Sequence, residues 1–290
     1  MTSTDDWLAG FLAAERLPAT YAQTVETVAL PLAERIAGAV RPGGIVVGVC
    51  GSQASGKSTL TAVVRRLLEA RGLKVALFSL DDIYLTRAER QVLARDVHPL
   101  LATRGVPGTH DVAWGEALLS DLRQPGPVVL PAFDKASDDR KPGETFEGSA
   151  DVVLFEGWCV GARPQAQAAL AEPVNALERE RDPDGAWRTY ANTALAGPYQ
   201  DLFSKLDMLI LLQAPSFDVV LTWRIEQERK LRERLAREGG DASRVMSDDQ
   251  VETFIRHYER LTSWILEEMP WRADLVVRLD ERRRASPVTA

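Results

Sequence analysis

Gly51-Ser52-Gln53-Ala54-Ser55-Gly56-Lys57-Ser58, directly after the apolar run 45–49, completes the pattern G-x-x-x-x-G-K-S/T that wraps a phosphate. A loop that closes around a β-phosphate must turn its backbone N–H groups inward. Glycine permits the close approach and the positive φ angles that a Cβ would obstruct, and Gly51 and Gly56 stand at those positions. Lys57 can bridge the β- and γ-phosphates as a point charge, and Ser58 can offer its hydroxyl to Mg²⁺. With Thr59, the phosphate-contacting stretch runs into a helix whose positive dipole end faces the anion. That helix is legible, because Leu60, Val63, Val64, Leu67 and Leu68 recur at helical spacing and Gly72 stands where a C-terminal cap belongs. Strand, glycine loop and helix in this order predict a site for a magnesium–nucleoside triphosphate.

Outward from the loop, short and nearly continuous apolar runs recur at 75–80, 128–130, 152–155, 208–212 and 275–279, the pattern of strands covered on both faces. Helical patterns separate several of them, which predicts an α/β fold: a three-layer sandwich of the P-loop NTPase kind with a mainly parallel central sheet. Ligands then collect beyond the carboxyl ends of the strands. Residues 1–42 read as an N-terminal helical extension with a break at Pro18 and a kink at Pro31, ahead of a kinase-like domain over 43–290. Within that domain, the proline-rich stretch at about 163–200 reads as an insertion with short helices, and residues 217–245 as a lid helix and its return.

Bulk properties narrow the function. The 290 residues, 45% of them hydrophobic, suffice for one large domain, and a net charge of −7 argues against a protein devoted to nucleic acid. Cys50 and Cys159 form no metal-binding or redox pair, so buried free thiols are expected. No apolar stretch reaches the length of a membrane span, and acidic Asp5 and Asp6 stand where a signal peptide would be basic. A cytoplasmic protein without a membrane or nucleic-acid partner is therefore expected, its oligomeric state left open.

The strand ends supply the chemistry. Residues 75–80 run into Asp81-Asp82-Ile83-Tyr84; a carboxylate there can take the proton of an attacking hydroxyl or help hold the metal. Asp81 is favoured for that work, with Asp82 as a cap or water-mediated group, the order of the two left open. Residues 151–155 end in Glu156-Gly157, where the acid can hold Mg²⁺ through water. Arg104, His110 and Asp111 in one turn-rich loop, and Asp134 and Lys135 in another, are candidates with Tyr84 for an acceptor pocket. There, cations clamp a carboxylate or phosphate and aspartates bind hydroxyls. A solvated loop, or a histidine satisfied locally, is the competing reading for each. Arg224 and Arg229 on the lid helix are candidates to neutralise charge on the transferring phosphoryl group, although i, i+4 pairs such as Glu226 with Lys230 would also explain a charged surface helix.

Taken in order, the segments 51–58, 81–84, 104–111, 133–135, Phe155-Glu156-Gly157-Trp158 and Trp223-Arg224-Ile225-Glu226-Gln227-Glu228 resemble the plant-type D-glycerate 3-kinases and their fungal relatives. These are cousins of uridine kinase, phosphoribulokinase and bacterial pantothenate kinase. The resemblance runs from about residue 45 to the end of the chain. It implies that Asp81 is the base and that Asp111 reads acceptor hydroxyls. Pro173-Val174-Asn175, Trp187-Arg188 and Asn192 resemble the glycerate kinase subgroup, whereas residues 132–140 follow its acceptor loop only in part, with extra acids after Lys135.

The function expected is transfer of the γ-phosphate of ATP, with Mg²⁺, to a hydroxyl of a small polar acid, D-glycerate foremost. A nucleoside, pantothenate-like or sugar acceptor is the alternative. A regulatory GTPase is a reading of another class; its guanine-reading N-K-x-D would follow a strand, and Ser204-Lys205-Leu206-Asp207 precedes one.

Overall fold

The apolar runs pair into one sheet because each strand alternates its side chains between two buried faces. The computed structural model describes residues 4–15, 17–238 and 245–288. Residues 239–244, part of the expected lid, lie outside the described residues. Helices α1 (Thr4–Ala14), α2 (Tyr21–Thr24) and α3 (Leu30–Ala39) precede β1 (Ile45–Gly51), α4 (Lys57–Glu69) and β2 (Val75–Ser79). Then come α5 (Arg87–Asp96), α6 (Val112–Asp121) and four short strands, β3 (Pro127–Val129), β4 (Ala132–Asp134), β5 (Asp139–Lys141) and β6 (Thr145–Glu147). Next are β7 (Val152–Gly157), α7 (Ala176–Arg181), α8 (Ala186–Ala196), α9 (Pro198–Phe203) and β8 (Met208–Gln213). The series ends with α10 (Phe217–Glu238), α11 (Asp248–Glu268) and β9 (Leu275–Arg278).

The central sheet has the order β2-β7-β1-β8-β9, and every neighbouring pair is parallel. Its register sets the functional edge. Val49 and Ser79 both stand opposite Glu156, and Gly51 stands opposite Leu212, so the ends of β1, β2, β7 and β8 open on one side. One face buries Val46, Cys50, Phe78, Phe155 and Leu211 beneath α6, α9 and α11, with Phe78 and Phe155 stacked at 4.7 Å. The other buries Val47, Val49, Leu154, Ile210 and Val277 beneath α4, the N-terminal helices and the start of α10. This is the three-layer sandwich expected. Cys50 and Cys159 are free and buried, and among the described residues no helix is long and apolar enough to cross a membrane.

Two details depart from the sequence pattern. The run 128–130 is no member of the central sheet: β3 pairs antiparallel with β6 in a two-stranded ribbon, and Val129 is 60% exposed. Pro125, Gly126 and Pro127 shorten the run, and a proline cannot donate to a central ladder. Pro31, expected to kink its helix, is accompanied by a π-helical turn at Val25–Ala29, where Leu30 N–H bonds Val25 O. The missing N–H of a proline removes one α-helical bond, and a wider turn just before it re-pairs the neighbouring carbonyls.

Residues 163–200, expected to be an insertion, form short helices around buried charge. The carboxylate of Asp182 accepts the N–H groups of Trp187 and Arg188 and pairs with the Arg188 guanidinium at 2.9 Å; Glu178 pairs with Arg260 of α11 at 2.7 Å. Removing one partner of such a pair strands the other without solvent. Arg188→Ala is therefore expected to lower stability by about 3–5 kcal/mol, read as a fall in the urea midpoint at unchanged slope. A loss below about 1 kcal/mol, the level of a surface pair, would contradict this account.

Candidate active site

β1 delivers the chain into the glycine loop, and the loop geometry follows from two contacts. Gly56 takes φ 88° at the start of α4, and a Cβ on Gly51 would stand 2.9 Å from Ser55 Oγ. Ala54, without glycine's freedom, is also held at φ 58°, a strained conformation typical of ligand clamps. The hydroxyls of Ser52 and Ser55 are buried with no hydrogen-bond partner, a state that costs free energy unless a ligand supplies one.

Lys57 extends from the first turn of α4, its side chain 14% exposed, with Nζ 3.7 Å from Glu156 Oε2. Burial opposes its charge, but Glu156 and then Asp81 outweigh burial and raise its pKa. Ser58 Oγ donates to Glu156 Oε1 at 2.6 Å, and Glu156 Oε2 accepts no hydrogen bond. A hydroxyl and a carboxylate placed together beside a phosphate loop fit Mg²⁺, which keeps several waters and takes phosphate oxygens for its remaining positions. Thr59 lies one residue further along the same turn.

Beyond β2, the two aspartates separate. Asp82 closes a capping box, accepting Ser79 N–H at 2.9 Å, and burial followed by the charges of Asp81 and Glu156 pushes its carboxyl up to about 6. Asp81 Oδ1 accepts the Tyr84 hydroxyl at 2.8 Å and Oδ2 accepts Lys135 Nζ at 2.7 Å. Burial alone would raise Asp81, yet Lys135 and Lys57 outweigh it and hold the carboxylate well below the usual range. Each Asp81 oxygen thus accepts one hydrogen bond, and a metal or a substrate hydroxyl would share the carboxylate with Tyr84 and Lys135 or displace one of them.

The acceptor candidates assemble around Tyr84. Its ring stacks on His110 at 4.5 Å and meets Phe133 edge-on at 5.2 Å. Asp111 caps α6 through Trp114 N–H and takes Arg140 at 3.0 Å, while Arg140 Nε donates to Tyr84 O. Arg104 pairs with Asp138, which also binds the buried Arg90 at 2.9 Å. Asp134 is occupied within its own hairpin, where it accepts from Ala136, Ser137 N–H and the Ser137 hydroxyl. The arginines expected to serve a lid are held by carboxylates in this structure. Arg224 pairs with Glu228 at 2.5 Å along α10, and Arg229, 58% exposed, pairs with Asp248 of α11.

Several site residues escape sequence reasoning. Tyr199 of α9 holds the 104–111 loop: its oxygen accepts Gly108 N–H at 3.0 Å and shares a hydrogen bond with His110 Nδ1 at 2.5 Å. Tyr258 donates to Arg104 O at 3.1 Å and fills the space where a Cβ on Gly105 would stand. Arg140, by contrast, is legible in the sequence as a cation of the same loop as Lys135, whereas the two tyrosines carry no such signal.

His110 supplies a pH signature. Burial, opposed by Asp81, lowers its pKa from 6.5 to about 3. Between those values the unfolded ring binds a proton that the folded ring refuses, so stability rises with pH and is lost as pH falls from 6.5. The loss is at most about 1.4 kcal/mol per pH unit. His110→Phe should flatten the stability profile of urea unfolding over this window; an unchanged slope would show that the ring is not buried neutral.

With this geometry in hand, comparison with known proteins identifies relatives. No protein-family model matches the chain. It is 33% identical over 225 residues to the uncharacterized kinase mug58 of Schizosaccharomyces pombe, a match covering 73% of this chain and 78% of the relative. Chloroplastic D-glycerate 3-kinase of Arabidopsis thaliana is 30% identical over 230 residues, covering 74% of this chain and 46% of that longer relative. Among solved structures, D-glycerate 3-kinase from Cryptococcus neoformans var. grubii superposes with a TM-score of 0.71 at 27% identity, covering 94% of this chain and 99% of the other. Loop, sheet order and relatives agree: the chain is a kinase and belongs to the family of plant-type D-glycerate 3-kinases and their fungal relatives.

Proposed function

We propose that the chain transfers the γ-phosphate of ATP to a hydroxyl of a small polar acid, D-glycerate foremost. The observation that carries this reading is the convergence, at one edge of a parallel sheet, of the phosphate loop, the Ser58–Glu156 pair and an ionised Asp81 beside a cluster of paired acids and bases. Relatives named for D-glycerate supply the acceptor class.

The loop amides and Lys57 hold the β- and γ-phosphates, and Thr59 stands where the chain leaves them. Mg²⁺, bound by Ser58 and Glu156 with the phosphates, would withdraw charge from the bridging and terminal oxygens. The substrate hydroxyl displaces Lys135 or Tyr84 from Asp81. Its oxygen then forms the bond to the γ-phosphorus while the bond to the ADP oxygen breaks, and Asp81 accepts the proton. A carboxylate held ionised by Lys135 and Lys57 is available for this at any physiological pH.

Lys135, freed from Asp81, joins Arg104 and Arg140 as cations suited to a substrate carboxylate, and Asp111 suits a second hydroxyl. The stacked rings of His110 and Tyr84 lie buried beside this cluster. Arg224 and Arg229 would act only after the lid exchanges their present carboxylate partners for phosphate oxygens. The GTPase reading finds no support: Asp207 is spent at the opposite end of the sheet, where it accepts Val46 N–H at 2.8 Å and pairs with Arg41.

An acceptor panel scored by acceptor-dependent ADP release tests the proposal, with Lys57→Ala as the blank. D-glycerate should stimulate most; stimulation only by nucleosides, pantothenate or sugars would transfer the same chemistry to another acceptor. Asp81→Asn should lower turnover by about 10²–10⁴-fold while ATP binding persists, and wild-type turnover in that variant would remove Asp81 from the role of base.

A further inference from the structure

The β4–β5 hairpin carries an acid that its turn does not require. Asp134 and Asp139 stand opposite each other at its end, and Asp134 accepts the N–H groups of Ala136 and Ser137 across the tip. Asp138 then takes φ 58°, a left-handed conformation that suits glycine and short polar side chains. Asparagine would serve that turn as well. The turn therefore accounts for a short residue at 138 and leaves its charge unexplained.

The charge sits between two guanidinium groups. The buried Arg90 donates from Nε to Leu85 O at 3.2 Å, from Nη1 to Ala102 O at 3.1 Å and from Nη2 to Asp138 O at 3.0 Å, and the same Nη2 stands 2.9 Å from Asp138 Oδ2. This oxygen has a structural task, since a buried guanidinium needs a counter-charge. The other, Oδ1, accepts from Nη1 of Arg104. An arginine presents five donors in a planar fork, and among the described residues Arg104 uses only this one in a side-chain hydrogen bond. Its guanidinium lies 5.6 Å from the Phe133 ring centre. A ligand carboxylate can engage the fork with two parallel bonds where Asp138 makes one. Asp138, its side chain 32% exposed, can then turn Oδ1 to water while Oδ2 stays on Arg90.

We infer that Asp138 is an internal competitor for the acid group of the acceptor: it occupies Arg104 until an anionic acceptor takes its place, and so sets how strongly such an acceptor binds. The inference rests on the acceptor reading above, in which Arg104 suits the substrate carboxylate. Two effects act in one direction. The acceptor must displace Oδ1 from Arg104, and its carboxylate approaches a like charge. Removing the charge at 138 therefore favours acids and leaves neutral analogues alone.

Asp138→Asn keeps the turn and an oxygen for Arg90 while removing the charge. Calorimetric titration with D-glycerate and with glyceramide, its uncharged amide, reads the result. D-glycerate should bind Asp138→Asn roughly tenfold more tightly than the wild-type protein, with glyceramide within about twofold. The gain should vanish when Arg104→Gln is added, because the coupling runs through that one guanidinium. Arg90→Gln together with Asp138→Asn releases Arg104 without leaving a buried charge unpaired, and the same tightening is expected there, with folding of each variant checked by circular dichroism. Unchanged, weaker or undetectable D-glycerate binding in a folded variant, an equal gain for glyceramide, or a gain that survives Arg104→Gln overturns the inference. Tighter D-glycerate binding without acceptor-dependent ADP release supports this role for Asp138 and overturns D-glycerate as the phosphoryl acceptor, so the two readings fail separately.

Discussion

Lys57 carries a positive charge into the interior at the tip of β1, and the charge stays there because Glu156 stands 3.7 Å away on the neighbouring strand. Desolvation would otherwise drive the ammonium toward its neutral form. The compensation depends on the parallel register of β1 with β7, which sets Glu156 level with Val49 and two residues short of the loop. A one-residue slip would turn that carboxylate to the other face of the sheet. The same register fixes Ser79, and through its capping box with Asp82 it fixes the turn that presents Asp81.

Around this centre the charges are matched before any ligand arrives. Asp81 faces Lys135, Asp111 faces Arg140, and Asp138 faces Arg90 and Arg104. An unmatched set of acids would repel both a triphosphate and an anionic acceptor. Paired, they keep the β4–β5 hairpin folded over the site and leave cations that can change partners. An incoming carboxylate that takes the guanidinium or ammonium groups would release the aspartates to hydroxyls, so acceptor binding and activation of the base would occur together under the proposed reading.

Much of the architecture is legible from local rules. The strands around the loop, the helix after it and the acid at the end of β7 each follow from patterns a few residues long, and the structure assembles them at one edge. What escapes is set by contacts between distant segments. Tyr199, 89 residues from His110, and Tyr258, 154 residues from Arg104, shape the 104–111 loop without any motif to announce them. Asp138 reads as a surplus acid in its own segment, and only the fold shows that it neutralises a fully buried arginine. The run 128–130 misleads for the complementary reason: three apolar residues look alike in a core strand and in an exposed ribbon, and the flanking prolines decide.

The central claim is that Lys57, Ser58 and Glu156 act as one unit on a magnesium-bound triphosphate. Calorimetric titration of ATP with Mg²⁺ and with a chelator, on the wild-type protein and on Glu156→Gln, tests it most directly. The account predicts that chelation weakens wild-type binding by roughly tenfold or more and that Glu156→Gln removes most of that magnesium dependence. Equal affinity for ATP with and without the metal in the wild-type protein would contradict it.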